Sequence, residues 1–192
     1  HSVPVAESER SKRKRTDGTK DATSEAQAQA KLAASSGSAQ DVEKAAAALP
    51  FVFDCPSTVE AWAELAAGKP AALQNVILDR IRACHHVSLA AENRSKLQKL
   101  YALLWKLIQE TASAPAAEGA MTAAERLETI EMLSKHVLSM SNAMPEFAGA
   151  VAIKYLRAIQ SGHTQACDVD SNGEFGWPPA GAMIILHLCS VV

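Results

Sequence analysis

In Asn93-Arg94-Ser95-Lys96-Leu97-Gln98-Lys99-Leu100-Tyr101-Ala102-Leu103-Leu104-Trp105-Lys106-Leu107-Ile108, apolar side chains return at Leu97, Leu100, Tyr101, Leu104, Leu107 and Ile108. Those intervals of three and four put them on one face of a helix, while Arg94, Lys96, Gln98 and Lys99 point elsewhere. A helix of this length, starting near Asn93 and ended by the loop 112–120 with Pro115 and Gly119, needs other helices to cover its stripe.

The flanking sequence supplies them. Upstream, Pro70 suits a first helical turn, and Leu73, Val76, Ile77, Ile81 and Cys84 form a second stripe. Before it, Ser57-Thr58-Val59-Glu60 has the S-x-x-E form of a capping box with Ser57 as the cap, predicting a helix from about Thr58 to Ala67 that stops at Gly68. Downstream, Thr122-Ala123-Ala124-Glu125 repeats the capping pattern and opens a helix with Leu127, Ile130, Leu133, Val137 and Met140 inward. Pro145 starts the next, with Phe147, Val151, Tyr155 and Ile159 inward and Gly162 as its expected stop. A last helix from about Pro179 would bury Met183, Ile184, Leu186 and Leu188.

Six helices with short joins predict an all-α fold of irregular antiparallel helical pairs, either a HEAT- or armadillo-like array or a helical bundle, without a clean sequence repeat. Residues 1–48 are rich in Ser, Ala, Gln and charge and poor in large apolar side chains. They are expected to form a disordered linker, with transient helix at most over 26–32 and 42–48. Residues 49–192 are expected to be the helical domain. The chain opens on His1 and closes on Val191-Val192 just past the apolar run Met183-Ile184-Ile185-Leu186, so a fragment of a longer protein is expected, cut at its carboxyl end.

Composition narrows the function classes. The chain is 48% hydrophobic but only 5% aromatic, which suits Ala- and Leu-rich helix packing better than a sheet. A net charge of -2 argues against a large cationic surface for phosphates. Cys55, Cys84, Cys167 and Cys189 lie far apart with no C-x-x-C pair, pointing to a reducing compartment rather than a disulfide framework or zinc knuckle. No apolar run is long enough to span a membrane, so a soluble intracellular protein is expected.

Several clusters invite a chemical reading. Lys12-Arg13-Lys14-Arg15 is a compact basic run suited to nuclear import, the bland reading being a solvated charge run. Asp168-Val169-Asp170-Ser171-Asn172-Gly173 imitates the start of an EF-hand loop, but Pro179 stands where the bidentate Glu belongs. Cys84-His85-His86 lacks a second half-site for a metal, and helix capping explains it better. A Cys84 nucleophile with His136 or His163 as base, or a pair of acids from Glu60, Glu64 and Asp79, has no supporting spacing. Trp62, Trp105, Phe147 and Tyr155 sit in apolar stripes, as core residues do, rather than as a base-stacking platform. No catalytic, cofactor-binding or metal residue is assigned.

Three sets of residues together resemble the nucleolar protein 14 family of ribosome-assembly factors. They are Leu49-Pro50-Phe51 with Cys55-Pro56; Arg80-Ile81-Arg82 with His86-x-Ser88-Leu89; and Asn93-Arg94-x-Lys96-Leu97-x-Lys99-Leu100. Trp177-Pro178 to Leu188 is similar to a later apolar helix of the family. Val87 stands where the family usually has proline, and 168–176 departs from its pattern.

The resemblance implies a non-enzymatic component of the small-subunit processome, acting in the nucleolus in processing of the small-subunit ribosomal RNA precursor and in small-subunit assembly. It implies as partners other processome proteins, including a nucleolar-complex helical-repeat protein, with precursor RNA and a box C/D small nucleolar RNA in the same assembly, and no membrane. The other reading of the same features is a helical-repeat nuclear adaptor unrelated to ribosomes.

Overall fold

The computed structural model describes residues 39–115, 121–169 and 178–192. The chain divides into two units, His1–Asp41 and Val42–Val192, and the helix-to-helix packing belongs to the second. Among the described residues there are seven helices and no strand: α1 Ala39–Ala48, α2 Val59–Ala66, α3 Ala71–Cys84, α4 Asn93–Ser113, α5 Ala123–Ala143, α6 Pro145–Val169 and α7 Ala180–Cys189.

α4 is the axis of the packing. Leu100, Tyr101, Leu104, Trp105 and Ile108 are fully buried, and Leu97, Leu103, Leu107 and Ala112 nearly so. A single stripe would have left Leu103 and Trp105 outside, but α5 and α7 both pack on α4. α3 also packs on α5, and α6 on both α5 and α7, so α4 to α7 close around a shared core. Its centre is aromatic: Trp105 stacks on Tyr155 at 5.1 Å between centroids, and Tyr101 meets Phe147 edge-on at 5.9 Å. The Tyr101 hydroxyl bonds Ser141 Oγ at 2.9 Å, and that hydroxyl donates to the Val137 carbonyl.

Local signals account for most helix ends. Thr122 caps α5 in a complete capping box with Glu125, whose carboxyl those bonds hold below its usual range. Gly68 takes φ 66° just after α2, the left-handed turn that glycine makes without strain. At α2 the cap falls one residue later than the S-x-x-E pattern predicts: Thr58 Oγ1 accepts from the Ala61 amide at 3.2 Å.

Four other expectations shift. α1 forms a helix over Ala39–Ala48, where transient helix at most is expected, because Arg80 of α3 donates to the Ala46 carbonyl in its last turn, a contact that a short isolated helix lacks. α6 runs through Gly162 to Val169, the local cost of one exposed glycine being only about 1 kcal/mol. Leu127 is 65% exposed, since the first two turns of α5 extend beyond the core that begins at Ile130. In α7 the buried residues are Gly181, Ala182, Ile185 and Leu188, with Met183 turned outward. Gly181 is why: a Cβ there would run into Ser113 Oγ and approach the Gln109 carbonyl to 3.2 Å, so glycine lets α7 lie against the end of α4.

Candidate partner-binding surface

The three motif sets converge on one corner of the fold, and Arg80 is its clamp. Helix α1 ends with carbonyls that have no intrahelical donor. Arg80 reaches back thirty or more residues to this end: Nη2 donates to the Ala46 carbonyl in the last turn at 2.9 Å, and Nη1 to the carbonyls just past the helix, Leu49 at 2.8 Å and Pro50 at 2.7 Å. A guanidinium there also suits the negative end of the helix dipole. The same group lies 4.9 Å from the centre of the Phe51 ring, a cation–π contact. Leu49 packs against the core, whereas Phe51 and Val52 remain 77% and 69% exposed on a strap whose backbone is fixed.

The rest of the strap is fastened to α3 and α4. Cys84 Sγ donates to the Phe51 carbonyl, Cys55 Sγ donates to the Lys96 carbonyl at 3.5 Å, and Pro56 is buried. Burial pushes the Cys55 thiol above its usual range against the pull of Lys96, which makes it a packing group rather than a thiolate nucleophile. Between α3 and α4, buried Asn93 donates to the His86 carbonyl at 3.2 Å, His86 Nδ1 bonds the Ser88 hydroxyl at 2.7 Å, and Lys96 pairs with Glu92 at 3.2 Å. Ile81, Leu97 and Leu100 are core, Leu89 is 66% exposed, and Lys99 faces solvent. Most of the family-like positions thus build the corner, and Pro50, Phe51 and Leu89 are the apolar ones left outside.

Arg82, on the next face of α3, enters a polar network that sequence reasoning missed. Its guanidinium donates to His136 Nδ1 at 3.1 Å and to Ser139 Oγ, and lies 3.7 Å from Asp79. His136 is 3% exposed, and its Nε2 lies 3.0 Å from Asn75 Oδ1, so the proton sits on Nε2 and Nδ1 accepts. Burial chiefly, resisted by the Asp79 carboxylate and reinforced by Arg82, pushes His136 down to about 4 and keeps it neutral. The one signal in the sequence is His136 itself, a polar residue between Leu133 and Met140 on an apolar face. Beside the network a cleft of about 300 Å³ opens, with Asp79, Arg82, His86, Val87, Leu97 and Met140 in its lining.

Cys84, His85 and His86 each bond elsewhere, His85 Nδ1 capping α3 through the Ile81 carbonyl at 2.9 Å. Among the described residues no three His, Cys, Asp or Glu side chains could hold a metal ion. No helix among them is long and apolar enough to cross a membrane. Lys12-Arg13-Lys14-Arg15 and the EF-hand-like run through Gly173 lie outside the described residues, except that Asp168 and Val169 end α6.

Arg80→Ala is expected to cost about 2 kcal/mol, by loss of charge-assisted bonds to three carbonyls in a half-buried setting. The loss should be local: hydrogen exchange accelerates over 42–53 while the α4 amides keep their protection. Equal acceleration throughout would show that Arg80 is not a clamp.

The fold and its polar groups define an all-helical protein whose buried polar side chains hold helices together. Within that class, the chain belongs to the Nop14-like family, which matches residues 4–192. It is 29% identical over 154 residues to nucleolar protein 14 of Mus musculus, covering 80% of this chain and 17% of that protein. It is 26% identical over 144 residues to nucleolar protein 14 of Homo sapiens, covering 75% and 16% respectively. The chain therefore spans about a sixth of the length of these relatives. No solved structure matches it significantly.

Proposed function

We propose that this chain is part of a non-enzymatic, nucleolar ribosome-biogenesis factor, and that its helical bundle serves as a protein-binding scaffold in the small-subunit processome. Family membership along nearly the whole chain, with relatives named as nucleolar proteins, carries the reading. The use of Arg80, Arg82, His136 and Asn93 in internal bonds supports it, because such groups fix a surface rather than perform chemistry. In this reading residues 1–48, ending in α1, form a linker segment that carries the nuclear-targeting run Lys12–Arg15, and residues 49–192 form the helical domain. Its partners are processome proteins, including a nucleolar-complex helical-repeat protein. Precursor ribosomal RNA and a box C/D small nucleolar RNA belong to the same assembly, held by several weak contacts in concert.

The test is affinity purification of the tagged full-length parent from nuclear extract, at low and high salt, with proteins and RNA identified. Processome proteins and small-subunit precursor RNA that persist as salt rises are the expected recovery, since protein contacts lose less to salt than phosphate contacts do. Soluble nuclear partners without precursor RNA would overturn it in favour of a nuclear adaptor unrelated to ribosomes.

A further inference from the structure

α6 is apolar on two sides. Ala148 and Ala152 are buried, and Phe147, Val151, Tyr155 and Ile159 are half-buried against the core. Ile153, on the opposite side, and Leu156, at the rim of the packed face, turn outward, 49% and 39% exposed, three residues apart and so neighbours on the helix surface. Exposed Arg157 lies one turn from Ile153, and exposed Lys154 one turn from Arg157.

The charge pattern there differs from the neighbouring helices. On α4 and α5, Lys106 pairs with Glu110 at 3.6 Å and Lys135 with Glu131 at 2.9 Å, each one turn away. Lys154 and Arg157 have, besides each other, Ala150, Val151, Ile153, Ala158, Gln160 and Ser161 at those positions, and no acidic residue occurs between Glu146 and Asp168. Neither cation has a carboxylate partner among the described residues. They also lie one turn from each other, a like-charge spacing that weakens a helix. Two outward aliphatics and two cations without a carboxylate partner among the described residues thus share the solvent side of α6, and one ligand chemistry suits both.

We propose that this face of α6 docks an amphipathic helix of a partner protein, with aliphatic side chains flanked by Glu or Asp. Ile153 and Leu156 match the one-turn spacing of such a helix's apolar stripe, and Lys154 and Arg157 meet its carboxylates. RNA fits less well: two cations release few counterions, and aliphatic side chains give bases no stacking face.

The test uses the whole chain and three labelled probes in fluorescence anisotropy. One is a synthetic amphipathic helical peptide with a Leu stripe flanked by Glu; another has the same stripe flanked by Lys; the third is a polyuridine RNA. The Glu-flanked peptide should bind best. K154E/R157E, both at exposed positions, should weaken it by about tenfold and transfer the preference to the Lys-flanked peptide. Ile153→Ser with Leu156→Ser should abolish both, with an unchanged melting temperature as the control for folding. Peptide binding without charge preference, failure of the reversal to swap it, tighter binding of RNA, or self-association that competes with the peptide would each overturn the proposal. It rests on the scaffold reading only in expecting a protein partner, and it fails separately, because precursor RNA can co-purify with the parent whether or not α6 binds the peptide.

Discussion

Trp105→Ala should cost about 3–5 kcal/mol, the range for emptying a fully buried large aromatic site. That is a large fraction of the roughly 5–15 kcal/mol that holds an ordinary domain folded. Trp105 has no solvent exposure, stacks on Tyr155 and leans on Tyr101, so its removal leaves a void where α4 meets α6. Trp105→Phe separates two contributions. The indole Nε1 is buried without a hydrogen-bond partner among the described residues, a feature that costs free energy. Phenylalanine removes that donor and keeps a ring against Tyr155, so its cost should be less than half that of alanine. Urea unfolding followed by far-ultraviolet circular dichroism gives both numbers. If alanine costs under about 1 kcal/mol, α4 is not the centre of the core and the helices do not close around it.

The contrast between α4 and α1 shows what sequence can and cannot disclose. α4 is legible because its own spacing of Leu97, Leu100, Tyr101, Leu104 and Ile108 specifies a helix with a buried face. The Thr122–Glu125 box and Gly68 are equally local signals. α1 is legible only as the transient helix over 42–48, because what holds it is a guanidinium more than thirty residues away; Arg80 reads in isolation as a surface charge. Met183 misleads for a similar reason: the hydrophobic pattern of α7 favours it, but the close approach at Gly181 selects the Ala182–Ile185–Leu188 face instead.

The site divides along the same line. The motif positions can be named from sequence, but their division into clamp, core and exposed contact cannot, since Pro56 and Phe51 read alike as strap residues and only packing buries one and exposes the other. The Arg82–His136 pair joins helices 54 residues apart, and no local pattern announces it.

That pair makes stability depend on pH in a window of its own. Folded His136 takes up a proton only near pH 4, whereas in the unfolded chain it does so near 6.5. Between those values the unfolded state binds more protons, so stability rises with pH; it is complete above about 6.5, falls as pH drops, and levels off below about 4. From pH 7 to pH 5 the loss should be about 2 kcal/mol, and roughly 3 kcal/mol over the full window. Glu60, Glu125 and Glu131 are held below the usual carboxylate range and contribute in the same direction, but only at pH values below their unfolded titration near 4.5. Urea midpoints at pH 7 and pH 5 therefore isolate the histidine. His136→Gln offers Asn75 and Arg82 a neutral side chain that still donates and accepts, so it should be less stable at pH 7 but nearly flat between the two pH values. A wild-type midpoint that does not move between pH 7 and 5, or a glutamine variant that loses as much as wild type, would mean that His136 is not held neutral between Arg82 and Asn75.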